Sequence, residues 1–202
     1  MTADRSAPRG RALRSENRRA EILQAAMSVI AERGYRGASL SAVAERVGMT
    51  QQGLLHYFPT REALLIAVLE ARDEWDTGGT QGGAHAWPLE MWTLLVDYNT
   101  TRSGVVQTFS ALLGESVTDN QPAREYFAQR YVMVRERAAA TLRHEFGERL
   151  PGGLTPEEAA PLVVAVMDGM QFQWLLDPDS ADMSAAFRHL IALLGEERPQ
   201  GG

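Results

Sequence analysis

Apolar residues recur at helical spacing along most of the chain, and no segment alternates as a strand would. The first such stretch begins after Arg18 and carries its apolar residues at Ile22, Leu23, Ala26, Met27, Val29 and Ile30. Gly34 follows at a position suited to ending a helix, because glycine tolerates the left-handed conformation found there. This pattern predicts a first helix over about residues 16–33.

Two short helices are predicted next, joined by a tight turn. Ser39 and Thr50 occupy N-cap positions, and Gly48 supplies the left-handed residue between the two helices. The second helix is about two turns long. The third covers about residues 51–58 and ends before Pro59, because proline disfavours helix in the residue that precedes it.

Six longer helices complete the predicted fold. Thr60 caps the first of these, over about residues 61–75, and the pairs Gly78–Gly79 and Gly82–Gly83 then form a loop. Thr155 is a predicted N-cap, followed by Pro156 at the first helical position and by Glu158, which completes a T-x-x-E capping pair. The five remaining helices are predicted at about 88–101, 105–115, 122–146, 155–176 and 182–194. The chain is therefore predicted to be all-α, with about nine helices.

Charge is unevenly distributed along the 202 residues, whose net charge is −6. Residues 1–61 contain ten arginines and five acidic residues, so they carry +5 and the remainder carries −11. We interpret residues 1–14 as a disordered basic arm. The charge further suggests a small polyanion-binding part attached to a larger acidic part that avoids nucleic acid. A solvated arginine-rich tail is the alternative interpretation of the charge at the N-terminus.

The second and third predicted helices have the arrangement of a helix-turn-helix, in which the second helix of the pair enters the major groove of DNA. Leu54 and Phe58 face inward, whereas Gln51, Gln52 and His56 remain outward and can hydrogen-bond to base edges. An ordinary polar surface helix is the alternative. The residues expected at the DNA are Ser39, Ser41, Thr50, Gln51, Gln52, Gly53, His56, Tyr57, Thr60 and Arg61. Thr50, Tyr57, Arg61 and the arginines between Arg5 and Arg19 are assigned to phosphates.

An ordered series of motifs in the first 65 or so residues resembles the TetR/AcrR family of transcriptional repressors. The motifs are Ile22-Leu23-Gln24-Ala25-Ala26, Ile30-Ala31-Glu32-Arg33-Gly34-Tyr35, Ser39-Leu40-Ser41-Ala42-Val43-Ala44, Gly48-Met49-Thr50, Tyr57-Phe58 and Thr60-Arg61-Glu62-Ala63-Leu64-Leu65. Residues 168–178 are similar to the penultimate helix of many members. Leu55 stands where the family usually has a tyrosine, which removes one phosphate contact. The resemblance implies a homodimer with a ligand pocket in the acidic body. Residues 15–62 are then the helix-turn-helix DNA-binding domain, and residues 63–202 are the helical domain for effector binding and dimerisation.

Catalytic chemistry is not expected. The chain has no cysteine, and its four histidines, His56, His85, His144 and His189, are scattered without metal-binding spacing. It has neither a phosphate-binding loop nor a G-x-S-x-G motif. We therefore expect no enzyme activity, no metal and no cofactor. The alternative to a DNA-binding regulator is a non-catalytic helical adaptor that acts through protein contacts.

Aromatic and polar residues alternate along the helices of the body, as in a pocket for a small hydrophobic effector. The residues expected to bind it are Trp92, Phe109, Tyr126, Arg130, Met167 and Phe172. Ordinary core packing is the alternative for each of them. Arg130 could offset a ligand anion, but an internal pair with Glu125 or an exposed position would also explain it. We expect the fourth helix to couple this pocket to the DNA-binding part, as the only continuous element that touches both.

The last two helices carry more apolar surface than one face of each needs for packing on the body. The residues expected at a homodimer interface are Leu162, Val166, Met170, Trp174, Phe187, Leu190, Ile191 and Leu194. The core of a monomer is the alternative. A twofold dimer would require an inverted-repeat DNA operator. The longest apolar run, Leu162–Met167, is far shorter than the roughly 20 residues that span a bilayer, so a cytoplasmic protein without a membrane segment is expected.

Overall fold

The computed structural model describes residues 7–76, 87–118 and 121–196, and the backbone of these ranges forms nine α-helices and no strand. The helices are α1 (Ala7–Gly37), α2 (Leu40–Arg46), α3 (Gln51–Leu55), α4 (Arg61–Asp76), α5 (Leu89–Thr100), α6 (Ser103–Ser116), α7 (Gln121–Phe146), α8 (Pro156–Leu176) and α9 (Met183–Gly195). The predicted all-α fold is confirmed for these residues. The predicted glycine loop at 78–83 lies outside them, as do Arg5 and His85.

Side-chain caps start the helices where the sequence predicts them. The hydroxyl oxygens of Ser39 and Thr50 accept hydrogen bonds from the backbone N–H groups of Ala42 and Gly53, each at 3.1 Å. Thr155 forms the predicted capping box with Glu158. Each cap satisfies an N–H group that has no partner within its own helix, which fixes the first turn.

The first helix is longer than predicted. α1 begins at Ala7 rather than near Glu16, so residues 7–14 of the expected disordered arm are helical instead, and residues 1–6 lie outside the described ranges. At Gly34 the backbone has φ 68° and ψ −178°, and the helical geometry breaks there. One further turn leads to Gly37. The positive φ explains why a glycine stands at this position.

Two apolar cores hold the molecule together. The first joins α1–α4 to α6 and α7 through residues such as Ile30, Leu64 and Phe109. The second joins α5 and α7–α9 around Trp92 and Phe187. Because α6 and α7 contribute to the first core, the helices of the N-terminal part do not form a core separate from the body.

Helix α8 is the one described helix that is both long and apolar enough to cross a membrane, with a mean hydropathy of 1.3. Only 28% of that apolar window is buried within the chain. Ala159, Ala160, Val163 and Val164 pack in the protein interior. Other apolar residues of α8 remain at the surface, among them Leu162 and Leu176.

Candidate DNA-reading helix and effector cavity

Helix α3 stands on a base of buried apolar residues. Leu54 and Phe58 are buried as predicted, whereas Gln51, Gln52 and His56 are exposed and Tyr57 is half-buried. The helix is shorter than predicted: it ends at Leu55, and the N–H groups of Tyr57 and Phe58 both donate to the Leu54 carbonyl in the turn that follows. Gly48, with φ 65°, makes the tight turn between α2 and α3. The predicted helix-turn-helix geometry is present.

Hydroxyl groups lie at the starts of three helices on this side of the molecule. Those of Ser39, Thr50 and Thr60 accept backbone N–H groups at the first turns of α2, α3 and α4. Ser41 lies exposed, with its hydroxyl 3.0 Å from that of Ser39. Each capping hydroxyl keeps its own hydrogen, which can be donated to a phosphate oxygen.

Gly53 lies between two close side chains. A Cβ atom at this position would lie 3.2 Å from the Met49 side chain and 3.3 Å from the Thr50 hydroxyl oxygen. A larger residue there would press on the cap of α3. Gly53 therefore has a structural role in addition to the DNA contact expected of it.

Arg61 has internal hydrogen-bond partners that the sequence did not predict. Its Nε donates to the Ala38 carbonyl at 2.9 Å, its guanidinium also donates to the Tyr35 carbonyl, and it lies 4.4 Å from the centre of the Tyr35 ring. These internal partners use Nε and Nη2 of the guanidinium, and the phosphate contact expected of Arg61 stays a prediction. Arg61 fixes the start of α4 to the end of α1.

A further arginine braces the same region and was not singled out individually from the sequence. Arg18 on α1 donates to the Val47 carbonyl at the end of α2, at 2.9 Å. Arg46 of α2 pairs with Glu32 of α1. The N-terminal arginines are thus divided between internal contacts and the surface, where Arg14 and Arg36 are exposed. Sequence alone does not separate these two groups.

A cavity of about 110 Å³ lies in the body. Its wall residues are Arg72, Asp73, Asp76, Trp87, Trp92, Leu95, Asn99, Phe109, Arg130, Met133, Val134, Arg137, Val164, Met167, Asp168 and Gln171. Four predicted ligand residues belong to this wall: Trp92, Phe109, Arg130 and Met167. The other two do not. Tyr126 lies behind the wall, and Phe172 is 42% exposed on α8.

The polar wall of the cavity is an ion-pair network that sequence reasoning missed. Arg130 pairs with Asp73 of α4 at 2.8 Å, so the alternative pair with Glu125 is wrong. Tyr126 donates to the same carboxylate at 3.3 Å. Burial opposes the charge on Asp73, but Arg130 outweighs it and holds the pKa of Asp73 below its usual value. Helix α4 thus reaches from the DNA-binding part to the cavity.

A second part of the network ties the end of α4 to the turn before α6. Asp76 pairs with Arg72 at 3.0 Å and with Arg102 at 2.9 Å. Asn99 accepts from Arg72 at 2.8 Å and from Arg102 at 3.0 Å. The Arg102–Asp76 and Arg72–Asn99 contacts join residues that are 26 and 27 positions apart, so residue spacing gave no signal for them.

Asp168 lies across the cavity on α8. Its carboxylate accepts hydrogen bonds from the Tyr131 hydroxyl at 2.5 Å and from Gln171 at 3.3 Å. Burial raises the pKa of Asp168, and the Tyr131 hydrogen bond opposes this rise. Asp168 is the first residue of the segment 168–178, which is similar to the penultimate helix of many TetR/AcrR members. That similarity did not predict that Asp168 lines a cavity.

The predicted interface residues fall into two groups. Phe187 is only 1% exposed in the second core, so its assignment to a dimer interface is wrong: residues of the same chain cover it. The others retain surface. Leu162 is 49% exposed, and the half-buried residues are Val166, Met170, Trp174, Leu190, Ile191 and Leu194.

Comparisons with known proteins decide the family. Residues 22–68 match the tetR family of bacterial regulatory proteins. Residues 85–196, more than half of the chain, match the family described as BetI-type transcriptional repressor, C-terminal. The chain belongs to the TetR family. Members of this family are DNA-binding transcriptional regulators that act as dimers and bind small-molecule effectors, which favours a regulator over the helical adaptor.

Individual relatives agree with this assignment. The HTH-type transcriptional regulator BetI of Paraburkholderia phytofirmans is 29% identical over 180 residues, which cover 86% of this chain and 89% of that protein. RutR of Escherichia coli is 46% identical over 48 residues, 24% of this chain and 23% of RutR.

Solved structures share the fold. A transcriptional regulator from Saccharomonospora viridis in complex with choline has a TM-score of 0.68 at 20% identity and covers 89% of this chain and 96% of its own. Thermus thermophilus FadR in complex with lauroyl-CoA has a TM-score of 0.57 at 18% identity, with 91% and 99% covered.

Proposed function

We propose that this TetR-family regulator is a cytoplasmic repressor that binds an inverted-repeat operator as a homodimer and is released by a small effector in the body cavity. The observation that carries the proposal is the course of α4. The helix begins at Arg61, beside the helix-turn-helix, and ends with Arg72, Asp73 and Asp76 on the cavity wall. A ligand that shifts α4 at the cavity would therefore also shift its first turn, beside the helix-turn-helix.

In this proposal the exposed face of α3 reads the operator. Gln51, Gln52 and His56 contact base edges, where a glutamine amide can bond to adenine through both of its polar atoms. The hydroxyls of Ser39, Ser41, Thr50, Tyr57 and Thr60 contact phosphates, and Gly53 lets the backbone approach the DNA. Arg61 holds the start of α4 against the end of α1 and so keeps this surface in place.

A second route of coupling runs through α1 and α6. Helix α6 contributes Phe109 to the cavity wall and packs along α1, which leads directly into α2. The expectation that α4 alone touches both parts is therefore too narrow. The Tyr35 hydroxyl of the α1 end donates to Glu115 of α6 at 2.9 Å and fixes the two helices at this contact.

The proposed dimer closes through the outer faces of α8 and α9. Leu162, Leu176 and Leu193 expose their side chains there. Two copies related by a twofold axis would cover these residues in a four-helix interface. This assignment explains the apolar surface of α8 without a membrane.

Selection from random double-stranded DNA with the purified full chain tests the proposal. We expect enrichment of one inverted repeat, and we expect Gln51→Ala to relax preference at one base pair per half-site, by about 1–3 kcal/mol. Gln129→Ala, an exposed glutamine of α7, is the matched control and should leave selection unchanged. Failure to enrich any sequence at low salt would contradict the proposal, and equal losses on selected and random DNA would reject Gln51 as a reader.

A further inference from the structure

The carboxylates on the cavity wall are occupied by donors of the chain itself. Both oxygens of Asp73 accept from Arg130, at 2.8 and 3.3 Å. The two oxygens of Asp168 accept from Tyr131 and Gln171. A ligand that brought only a positive charge would have to compete with these partners.

The ionised groups of the cavity wall balance one another. They are three guanidiniums and three carboxylates, those of Arg72, Arg130, Arg137, Asp73, Asp76 and Asp168. An ion of either sign would bring one unmatched charge among these groups, and burial makes such a charge costly. The balance therefore favours an uncharged ligand.

Asn99 of α5 offers a hydrogen-bond donor to such a ligand. Its Oδ1 accepts from Arg72 at 2.8 Å and from Arg102 at 3.0 Å. Because a guanidinium only donates, these two bonds fix which arm of the amide carries the oxygen and which carries the nitrogen. Nδ2 donates to no residue in the described part of the chain. Asn99 is 4% exposed and lines the cavity, so this donor is held in a buried wall.

Gln171 of α8 offers the complementary acceptor. Its Nε2 donates to the Met167 carbonyl and to Asp168, each at 3.3 Å. A backbone carbonyl only accepts, so the nitrogen must lie on that side and the amide oxygen on the other. Within the described ranges, no group donates to Oε1. Gln171 is 6% exposed and lines the same cavity as Asn99.

The two amide atoms are accessible from the cavity. Among the described residues, the unpartnered side-chain polar atoms that are fully enclosed are Arg102 Nε and Ser110 Oγ. Asn99 Nδ2 and Gln171 Oε1 are not enclosed in this way, and since their residues are otherwise buried, the surface that they keep faces the cavity. A buried donor or acceptor without a partner is unfavourable, so a ligand that bonds to both atoms is stabilised.

We propose that the effector is a small uncharged carboxamide, whose carbonyl oxygen accepts from Asn99 and whose N–H group donates to Gln171. Its apolar part packs against Trp92, Val164 and Met167. The cavity of about 110 Å³ limits the ligand to about the size of benzene, since an engineered apolar cavity of roughly 150 Å³ holds that molecule. This inference rests on the proposed function only in taking the cavity as the effector site.

Calorimetric titration of the full chain with four compounds of one shape tests the inference. Isobutyramide, isobutyrate, isobutyramidinium and methyl isopropyl ketone share a branched carbon skeleton and a planar head group. The amide is uncharged and has both an acceptor and a donor. The next two compounds are anionic and cationic, and the ketone is uncharged with an acceptor only.

We expect isobutyramide to bind at least about tenfold more tightly than each of the other three, because each of these adds a charge or leaves a wall amide without a partner. Equal or tighter binding of any of the three would overturn the inference. No measurable isobutyramide binding at millimolar concentration would do the same.

Gln171→Met removes the acceptor from the wall and keeps the length of the side chain. It should weaken isobutyramide binding about tenfold and leave binding of the ketone unchanged, so the preference between the two compounds should vanish. Gln129→Met, at an exposed position of α7, is the matched control and should change neither. Equal losses for both compounds, or an unchanged preference for the amide, in a folded Gln171→Met chain would overturn the assignment.

Asn99→Asp removes the donor but keeps an oxygen that accepts from Arg72 and Arg102. It should weaken binding of the amide and of the ketone alike, by about tenfold, since both bring the same carbonyl oxygen. Asn17→Asp, at an exposed position of α1, is the matched control. Circular dichroism identifies any variant that fails to fold, and if Asn99→Asp fails, Gln171→Met decides alone. Unchanged binding of both compounds by a folded Asn99→Asp chain would overturn the site.

The titration can fail separately from the proposed function, because it requires no DNA. Preferential isobutyramide binding by a chain that selects no operator would support the carboxamide site and contradict the repressor. Operator selection by a chain that prefers isobutyrate or isobutyramidinium would do the reverse.

Discussion

Gly104 of α6 lies directly against the backbone of Ile30 in α1. A Cβ atom at position 104 would lie 2.5 Å from the Ile30 carbonyl oxygen, closer than Cβ atoms approach other heavy atoms in proteins. Glycine is therefore what allows α6 to lie close along α1. This contact joins the cavity-bearing body to the helix that leads into the helix-turn-helix.

Gly104→Ala should lower the free energy of unfolding by about 1–3 kcal/mol, because an added methyl group in a packed contact forces the helices apart. Thermal unfolding measures the change. Gly114→Ala is the matched control on the same helix: nothing lies within 4 Å of its added Cβ. It should stabilise the chain by about 0.5–1 kcal/mol, since alanine is the better helix former. A Gly104→Ala chain as stable as wild type would contradict the close contact.

Arg61→Lys tests the structural role of Arg61. Lysine keeps the positive charge but cannot bond to the Tyr35 and Ala38 carbonyls in the geometry of the guanidinium. We expect a loss of about 1–2 kcal/mol in the free energy of unfolding, with no change in the salt dependence of DNA binding. Arg36→Lys, at an exposed neighbour, is the control. A folded Arg61→Lys chain as stable as wild type would contradict the structural role of Arg61.

Leu193→Glu tests the dimer. Leu193 is 64% exposed on α9, so a charged side chain there should leave the fold of the single chain intact. In a dimer interface the same charge would be buried without a partner, which would weaken the dimer. Sedimentation at micromolar concentration should give twice the chain mass of 22.2 kDa for wild type and a mass near 22.2 kDa for the variant.

Phe187→Glu provides the contrast, since Phe187 lies in the core and its substitution should unfold the chain. A wild-type mass near 22.2 kDa would reject the dimer. A folded Phe187→Glu chain would contradict the core position of Phe187.

Local signals in the sequence were sufficient for the helices, because caps and turns act through neighbouring residues. Ser39, Thr50 and Thr155 were found in this way. Periodicity also shows that a residue such as Phe187 is on an apolar face, but it does not show whether the same chain or a second copy covers that face. The start of α1 was missed because residues 7–14 carry no apolar stripe.

The cavity could be predicted only in part, because its polar wall is formed by segments that are distant in the sequence. Its ion pairs join α4 to α7 and to the turn before α6, so they depend on how distant segments pack. The sequence suggested Glu125 as an internal partner of Arg130, whereas its partner in the structure is Asp73. Trp92, Phe109 and Met167 were found because large apolar residues in the body are natural wall residues.

Asp168 gives the stability of the chain a specific pH dependence. Burial raises its pKa in the folded chain, so the folded chain holds this proton more strongly than the unfolded chain does. Stability from this group is therefore present at low pH and is lost as pH rises from about 3.9, the usual value, through the raised pKa.

Asp168→Asn should therefore raise the unfolding temperature at pH 7 relative to wild type, and the difference should shrink towards pH 4. Thermal melts at the two pH values measure it, with the exposed Asp179→Asn as control. A shift of the same size at both values would contradict the burial of this charge.

The central claim is that the cavity and the reading helix are coupled, and operator titration with and without a bound cavity ligand tests it most directly. Fluorescence anisotropy would give the operator affinity of the full chain alone and with a saturating small molecule that calorimetry shows to bind in the cavity, at one salt concentration. We predict that this ligand weakens operator binding about 5–150-fold, and that the operator weakens ligand binding by the same factor, because coupling between two sites is reciprocal. Calorimetrically confirmed ligand binding in the cavity that leaves operator affinity unchanged would contradict the account.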